Sequence, residues 1–171
     1  PKEGAAFVFL GGPSGVGNGG SASADSILQS DQANSFFGFR VAGADDVNAD
    51  GYSDVIVAAD SYDLGQTDEG AAFVFLGGPL GVGNGSPANA DAVLQSDQAG
   101  CRLGASVAGA GDVNADGYAD VVVATRYGNP AVATALVYLG GINGIASGTP
   151  RGAAATLGRF SSFAADVAGA G

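Results

Sequence analysis

The chain repeats itself. Residues 4–59 align without gaps to residues 70–125, an offset of 66, with 40 of 56 positions identical and 16 different. Gly4-Ala-Ala-Phe-Val-Phe-Leu-Gly-Gly-Pro13 returns as Gly70 to Pro79, and Leu28-Gln-Ser-Asp-Gln-Ala33 returns as Leu94 to Ala99. A third, more diverged copy follows. Leu136-Val-Tyr-Leu-Gly-Gly141 echoes Phe73 to Gly78, and Val167-Ala-Gly-Ala-Gly171 echoes Val107 to Gly111. A fixed period of this length marks stacked supersecondary units. One such unit cannot bury its apolar faces alone; it does so against its neighbours.

Each unit reads as four short strands, around residues 37–43, 54–59, 71–76 and 92–95. The runs are of strand length and are bounded by Gly, Asn, Asp and Pro. Ala71-Ala-Phe-Val-Phe-Leu76 is apolar on both of its alternating faces, so it is expected to be covered on both sides. No helical period is apparent. The Gly and Ala of Val-Ala-Gly-Ala suit a crowded place where sheets converge. A four-stranded unit that buries both faces against its neighbours points to an all-β fold of β-propeller blades.

Between the first two strands of each unit lies an acidic loop. Copy one reads Asp46-Val-Asn-Ala-Asp-Gly-Tyr-Ser-Asp54 and copy two reads Asp112-Val-Asn-Ala-Asp-Gly-Tyr-Ala-Asp120. The chain carries 17 acidic and 6 basic residues, a net charge of −11, and six of the acids sit in these two loops. The clustering suggests cation binding rather than an evenly solvated surface. Positions one, three, five and nine offer side-chain oxygens from Asp46, Asn48, Asp50 and Asp54, and again from Asp112, Asn114, Asp116 and Asp120. Gly51 and Gly117 permit the sharp turn. The carbonyls of Tyr52 and Tyr118, at position seven, can face the ion. An all-oxygen set with three carboxylates on a flexible loop suits Ca²⁺ better than Mg²⁺. Two calcium sites are therefore expected. An EF-hand needs Glu at position twelve, where this chain has Val57 and Val123. A dockerin-type loop needs an acid there and a helix after it, and here a strand pattern follows. The competing reading is an Asx-rich turn that binds no metal.

These residues carry a resemblance. Phe37-Gly38, Val41-Ala-Gly-Ala44, the acidic loop running into Val55-Ile-Val-Ala-Ala59, and Gly70-Ala-Ala-Phe-Val-Phe75 resemble the FG-GAP repeat. That repeat builds the seven-bladed propeller of integrin α-subunits and of many bacterial surface proteins. The resemblance covers essentially the whole chain and implies that the acidic loop joins the first two strands of a blade and binds calcium. Some positions depart from the pattern. The Gly-Ala-Pro element is Ala58-Ala-Asp60 and then Ala124-Thr-Arg126, while Phe-Gly becomes Leu103-Gly104 and then Phe163-Ala164. None of these changes touches a calcium ligand.

The expected organisation is about two and a half blades of a seven-bladed ring. Residues 1–36 form the second half of a blade, 37–102 and 103–162 are complete blades with a calcium loop each, and 163–171 open a further blade. The first residue is Pro1 and the chain contains no Met, so a fragment or processed piece of a longer protein is expected. The remaining blades of that protein are then partners of this segment.

Other chemistry finds little support. There is no His and one cysteine, Cys101, which excludes His-type zinc sites, Ser-His-Asp triads and an intrachain disulfide within this segment. Cys101 reads as a small buried apolar residue. The negative charge disfavours nucleic acid, and no apolar run approaches the roughly 20 residues of a spanning helix. Gly15-Val-Gly-Asn-Gly-Gly20 fits a dinucleotide fingerprint but lacks the following helix, so it reads as turn glycines. Asp60, Asp63, Asp68 and Glu69 read as an acidic, solvated loop. No catalytic residue is assigned, and the segment is not expected to be an enzyme. The expected role is a structural and adhesion-like interaction module of a secreted or cell-surface protein, meeting a protein or glycan partner through propeller loops. The alternatives are the non-catalytic propeller of an extracellular polysaccharide- or glycolipid-acting enzyme, and a sugar-binding propeller.

Overall fold

The computed structural model describes residues 3–126, 133–160 and 167–169. Three antiparallel sheets follow one another along the chain. The first pairs β1 (Ala5–Val8) with β2 (Ser26–Gln29). The second holds β3 (Arg40–Asp45), β4 (Asp54–Ala59), β5 (Ala71–Phe75) and β6 (Ala92–Gln95), each beside the next in sequence. The third repeats that order with β7 (Leu103–Gly111), β8 (Asp120–Thr125), β9 (Ala133–Tyr138) and β10 (Ala155–Phe160). Among the described residues, helix is confined to the 3-10 turns Ser21–Ser23, Pro87–Asn89 and Pro150–Gly152, each just before an outermost strand. None is long and apolar enough to cross a membrane. The fold is all-β, a partial propeller of stacked blades.

The alternation in β4 and β5 divides their side chains between two cores. Ile56, Ala58, Ala72 and Val74 join Leu103, Val107, Val121, Val123 and Leu136 of the next sheet. Val57, Ala59, Ala71, Phe73 and Phe75 face the other way and join Ala6, Leu28 and Phe37. Every residue of β5 is buried, as a strand apolar on both faces requires. Phe73 is the largest fully buried side chain. Its ring lies 5.8 Å from that of Phe37 and 5.2 Å, edge-on, from that of Tyr62. Burying a phenylalanine of this kind contributes about 1.5–3 kcal/mol.

The innermost strands pack backbone to backbone. A Cβ on Gly109 would lie 2.8 Å from the Gly43 carbonyl oxygen, so only glycine fits that approach. The third Val-Ala-Gly copy lies against the same strand: the Val167 N–H donates to the Ser106 hydroxyl at 3.1 Å, and Val167 packs against the core of Val122, Ala135 and Val137 that Ala108 and Ala110 also meet. Phe163-Ala164, and the rest of the strand expected there apart from 167–169, lie outside the described residues.

The outermost strands are also tied across blades. Leu28 of β2 forms a parallel bridge to Gly85, and Leu94 of β6 forms one to Gly148. The Gln29 N–H donates to Gly85 O at 2.9 Å and the Gln95 N–H to Gly148 O at 3.0 Å. The edges at β2 and β6 are thus each covered by a loop of the following blade, which removes a site of unwanted pairing. The first strand of the second sheet, β3, begins later than the sequence predicts, whereas β7 starts at Leu103, the counterpart of the predicted Phe37. Phe36 and Gly38 both have positive φ, 57° and 79°, and the Gly38 N–H donates to Ala58 O at 3.0 Å. Phe37-Gly38 is therefore a turn that delivers the chain into β3.

Candidate metal centre

The two acidic loops have the same internal geometry. In copy one, the Asp46 carboxylate accepts from the N–H groups of Asp50 (3.0 Å) and Gly51 (2.7 Å). Asn48 Oδ1 accepts from the Asp50 N–H at 3.2 Å, and Asp50 Oδ1 accepts from the Tyr52 N–H at 3.0 Å. Asn48 Nδ2 donates to Asp50 Oδ2 at 3.0 Å. In copy two, Asp112, Asn114, Asp116, Gly117 and Tyr118 repeat the pattern at 2.8–3.2 Å. The curl depends on positive φ at Ala49 (56°) and Gly51 (92°), and at Ala115 (59°) and Gly117 (93°). Gly accepts that backbone freely and Ala does not, so the side-chain acceptors must hold the Ala residues there.

Position nine does a different job. Asp54 and Asp120 are fully buried at the start of β4 and β8. Asp54 Oδ2 accepts from the Val47 N–H at 2.8 Å and Oδ1 from the Gly77 N–H at 2.7 Å. Asp120 accepts from the Val113 and Gly140 N–H groups, both at 2.8 Å. Each carboxylate therefore latches its loop to the turn that follows the third strand of the same blade. That turn needs glycine, because a Cβ on Gly77 would meet the Ser53 carbonyl and one on Gly140 would lie 2.6 Å from Val47 O. The latch was not foreseen from the motif. Its sequence signal is the Leu-Gly-Gly that recurs at residues 76–78 and 139–141.

The donor set suits a hard cation. Burial pushes the Asp54 carboxyl above its ordinary value; the Gly77 and Val47 N–H groups pull it back, and the charges of Asp50 and Asp46 raise it again. Among the described residues no ion pair reaches a loop carboxylate. The carbonyls of Tyr52 and Tyr118 accept no hydrogen bond from any described residue, which leaves them available. The carboxylates are occupied instead by backbone N–H groups. Among the described residues no group of three Asp, Glu, Cys or His side chains is gathered tightly enough to hold a metal ion. Three like charges separate unless something neutralises them.

Loop one is also built into the next blade. Asp46 O accepts from the Ala119 N–H and Val47 O from the Gly141 N–H, both at 3.0 Å. Val47 is fully buried, whereas its counterpart Val113 is 56% exposed.

At the other end of the blades, the cluster read as a solvated acidic loop is not one. Glu69 is fully buried and Asp60 nearly so. Glu69 Oε1 accepts from the N–H groups of Leu64 and Gln66, and Oε2 from that of Asp97, all at 2.9 Å. A buried carboxylate with three N–H donors organises the loop around it. Only the spacing of Glu69 directly before the buried strand β5 could have signalled this.

The FG-GAP repeat family matches residues 37–75 and 103–140. Among curated proteins, the chain is 36% identical over 128 residues to integrin alpha-IIb of Homo sapiens, covering 70% of this chain and 12% of that protein. It is 33% identical over 121 residues to integrin alpha-PS5 of Drosophila melanogaster, covering 70% of this chain and 11% of that protein. It is 37% identical over 97 residues to integrin alpha pat-2 of Caenorhabditis briggsae, covering 56% of this chain and 8% of that protein. The chain thus spans roughly a tenth of the length of these relatives.

Proposed function

This chain carries FG-GAP repeats of an integrin α-like β-propeller, and from that premise we propose that it is a calcium-clipped, adhesion-like interaction module. The observation that carries the reading is the pair of nine-residue loops, alike but for Ser53 and Ala119 and folded alike, whose carboxylates lack any cationic partner among the described residues. Asp46, Asn48, Asp50, the Tyr52 carbonyl and Asp54 hold one Ca²⁺, and Asp112, Asn114, Asp116, the Tyr118 carbonyl and Asp120 hold another. When bound, the ion offsets two of the three negative charges of its loop. The protein's own residues do the rest. Asp54 and Asp120 fix each loop to its blade, and the loop backbone fixes the strand order.

Residues 37–102 and 103–162 each make one blade in this reading, with 1–36 the outer half of the blade before and 163–171 the opening of the one after. Affinities of extracellular calcium modules are about 10⁻⁴–10⁻³ M, a range that only a calcium-rich compartment keeps filled. A secreted or cell-surface location follows. The propeller loops then face a protein or glycan partner, and no residue is assigned a catalytic role. At about 10 mM calcium, a site of this affinity adds on the order of 1–3 kcal/mol of stability. Chelation with EDTA is expected to lower the melting temperature and added calcium to restore it, with magnesium restoring less. Superimposable melting curves in EDTA and calcium would overturn the proposal.

A further inference from the structure

Arg102 and Arg126 are the only basic residues between Arg40 and Arg151. Both belong to the second repeat, and both replace something else at the same place in the first. Arg102 stands where copy one has Phe36, and Arg126 where copy one has Asp60. All four residues, with Phe39, line one cavity of about 190 Å³. Two charge-changing differences between near-identical repeats therefore meet at one point, and they bring positive charge to a strongly acidic chain.

The cavity lies at the opposite end of the blades from the acidic loops. Phe36 and Arg102 precede β3 and β7, and Asp60 and Arg126 follow β4 and β8, whereas the acidic loops join the far ends of those same strands. Phe36 and Arg102 share a left-handed backbone, with φ of 57° and 55°. The same turn thus offers an aromatic ring from one blade and a guanidinium from the next. Asp60 is buried between the two guanidiniums, 3.9 Å from Arg102 and 3.8 Å from Arg126. Both separations are too long for a hydrogen bond. Arg102 spends donors on the Ser61 hydroxyl at 2.8 Å and on Asp68 at 3.5 Å. The Arg126 guanidinium donates no hydrogen bond to any described residue, although it is two-thirds buried.

We propose that this cavity binds a carboxylate carried on a flat, apolar body. The planar fork of Arg126 matches a carboxylate in two-point geometry. The exposed rings of Phe36 and Phe39, set edge to face with centroids 6.4 Å apart, supply the apolar surface beside it. Three guanidiniums, those of Arg102, Arg126 and Arg40 stacked 4.7 Å over the Phe39 ring, face the carboxylates of Asp60 and Asp68 and leave one positive charge, which suits a monoanion and opposes a dianion such as phosphate. The volume holds a single ring with its acid group and nothing of drug size. The inference is independent of calcium.

The test uses the protein in calcium-containing buffer, with benzoate and glucuronate as probes and benzyl alcohol as the uncharged control. Binding is read from the NMR signals of the arginine side-chain N–H groups. Saturable shifts are expected for benzoate, with Kd on the order of 1 mM. Glucuronate, whose hydroxylated ring does not match the phenylalanine faces, should bind more weakly, and the reverse order would overturn the proposal. Arg126→Gln is expected to weaken binding roughly tenfold or more, and Arg126→Lys by an intermediate amount because it keeps the charge and loses the fork. Arg126→Lys should leave the melting temperature nearly unchanged, whereas Arg126→Gln leaves buried Asp60 with Arg102 alone and should lower it, so binding is compared well below both melting transitions. No saturable shift with either acid on folded protein, equal binding of benzyl alcohol, or binding indifferent to Arg126→Gln would each overturn the proposal.

Discussion

Replacing Asp54 separates the two roles assigned to the acidic loop. Its carboxylate takes the Val47 and Gly77 N–H groups at 2.8 and 2.7 Å. Val47 is fully buried, so water does not readily replace the lost acceptor. A buried donor left unsatisfied costs about 1–3 kcal/mol. Two of them give roughly 2–6 kcal/mol, lowered because the variant also removes an acid that burial and its acidic neighbours disfavour. Asp54→Ala should therefore cost about 2–4 kcal/mol even in EDTA. Asp50→Ala makes the contrast. Its carboxylate is exposed and takes only the Tyr52 N–H and the Asn48 amide, both at 3.0 Å, which water can replace, so in EDTA it should cost about 1 kcal/mol or less. In calcium, Asp50→Ala should additionally lose most of the stabilisation from its own site. Urea denaturation followed by far-UV circular dichroism, in EDTA and in calcium, gives all four values. Equal losses for the two variants in EDTA would refute the latch.

Two further outcomes can be checked directly. Gly109→Ala should destabilise by about 1–3 kcal/mol through overpacking, because its Cβ would sit 2.8 Å from Gly43 O, while Gly43→Ala, whose Cβ would meet nothing within 4 Å, should be nearly neutral; thermal melts of the two variants distinguish them. Burial, and then the hydrogen bond to Asp31 at 2.8 Å, raise the Tyr62 phenol above its ordinary value of 10.0. The stability it contributes is therefore intact below about pH 10 and is lost as pH rises through the higher folded value, so wild type should lose more stability than Tyr62→Phe on alkaline denaturation.

The repeat and the alternation of apolar residues were enough to read the blades. They located β4, β5 and β6 within a residue, because β-branched and aromatic runs between turn residues leave few alternatives. The first strand was misplaced because Phe37-Gly38 is apolar, and only a hydrogen bond to Ala58, some 20 residues on, makes it a turn. Glu69 was misread for a related reason. Its neighbour Asp63 is exposed and Asp68 half-buried, and nothing local distinguishes a carboxylate facing water from one facing three N–H groups. The pairing of Gly85 and Gly148 with the preceding blade was also hidden. Those glycines sit in turn-like sequence, and their strand partners lie more than 50 residues away. In each case the deciding contact is long-range, which a local pattern does not encode.

The two acidic loops share one internal geometry, and loop one shows what a neighbouring blade adds to it. Eight of their nine residues are the same and their internal hydrogen bonds agree. Loop one also gives two backbone carbonyls to the next blade and buries Val47 in the shared core. In a stack of repeats, stability divides into a term within each unit and a term between neighbours. Loop one contributes to both: Asp54 closes the hairpin of its own blade, and Asp46 and Val47 hold the blade beside it. Disordering this loop should loosen the interface along with the hairpin. A clip at this position therefore stiffens the array as well as its own hairpin.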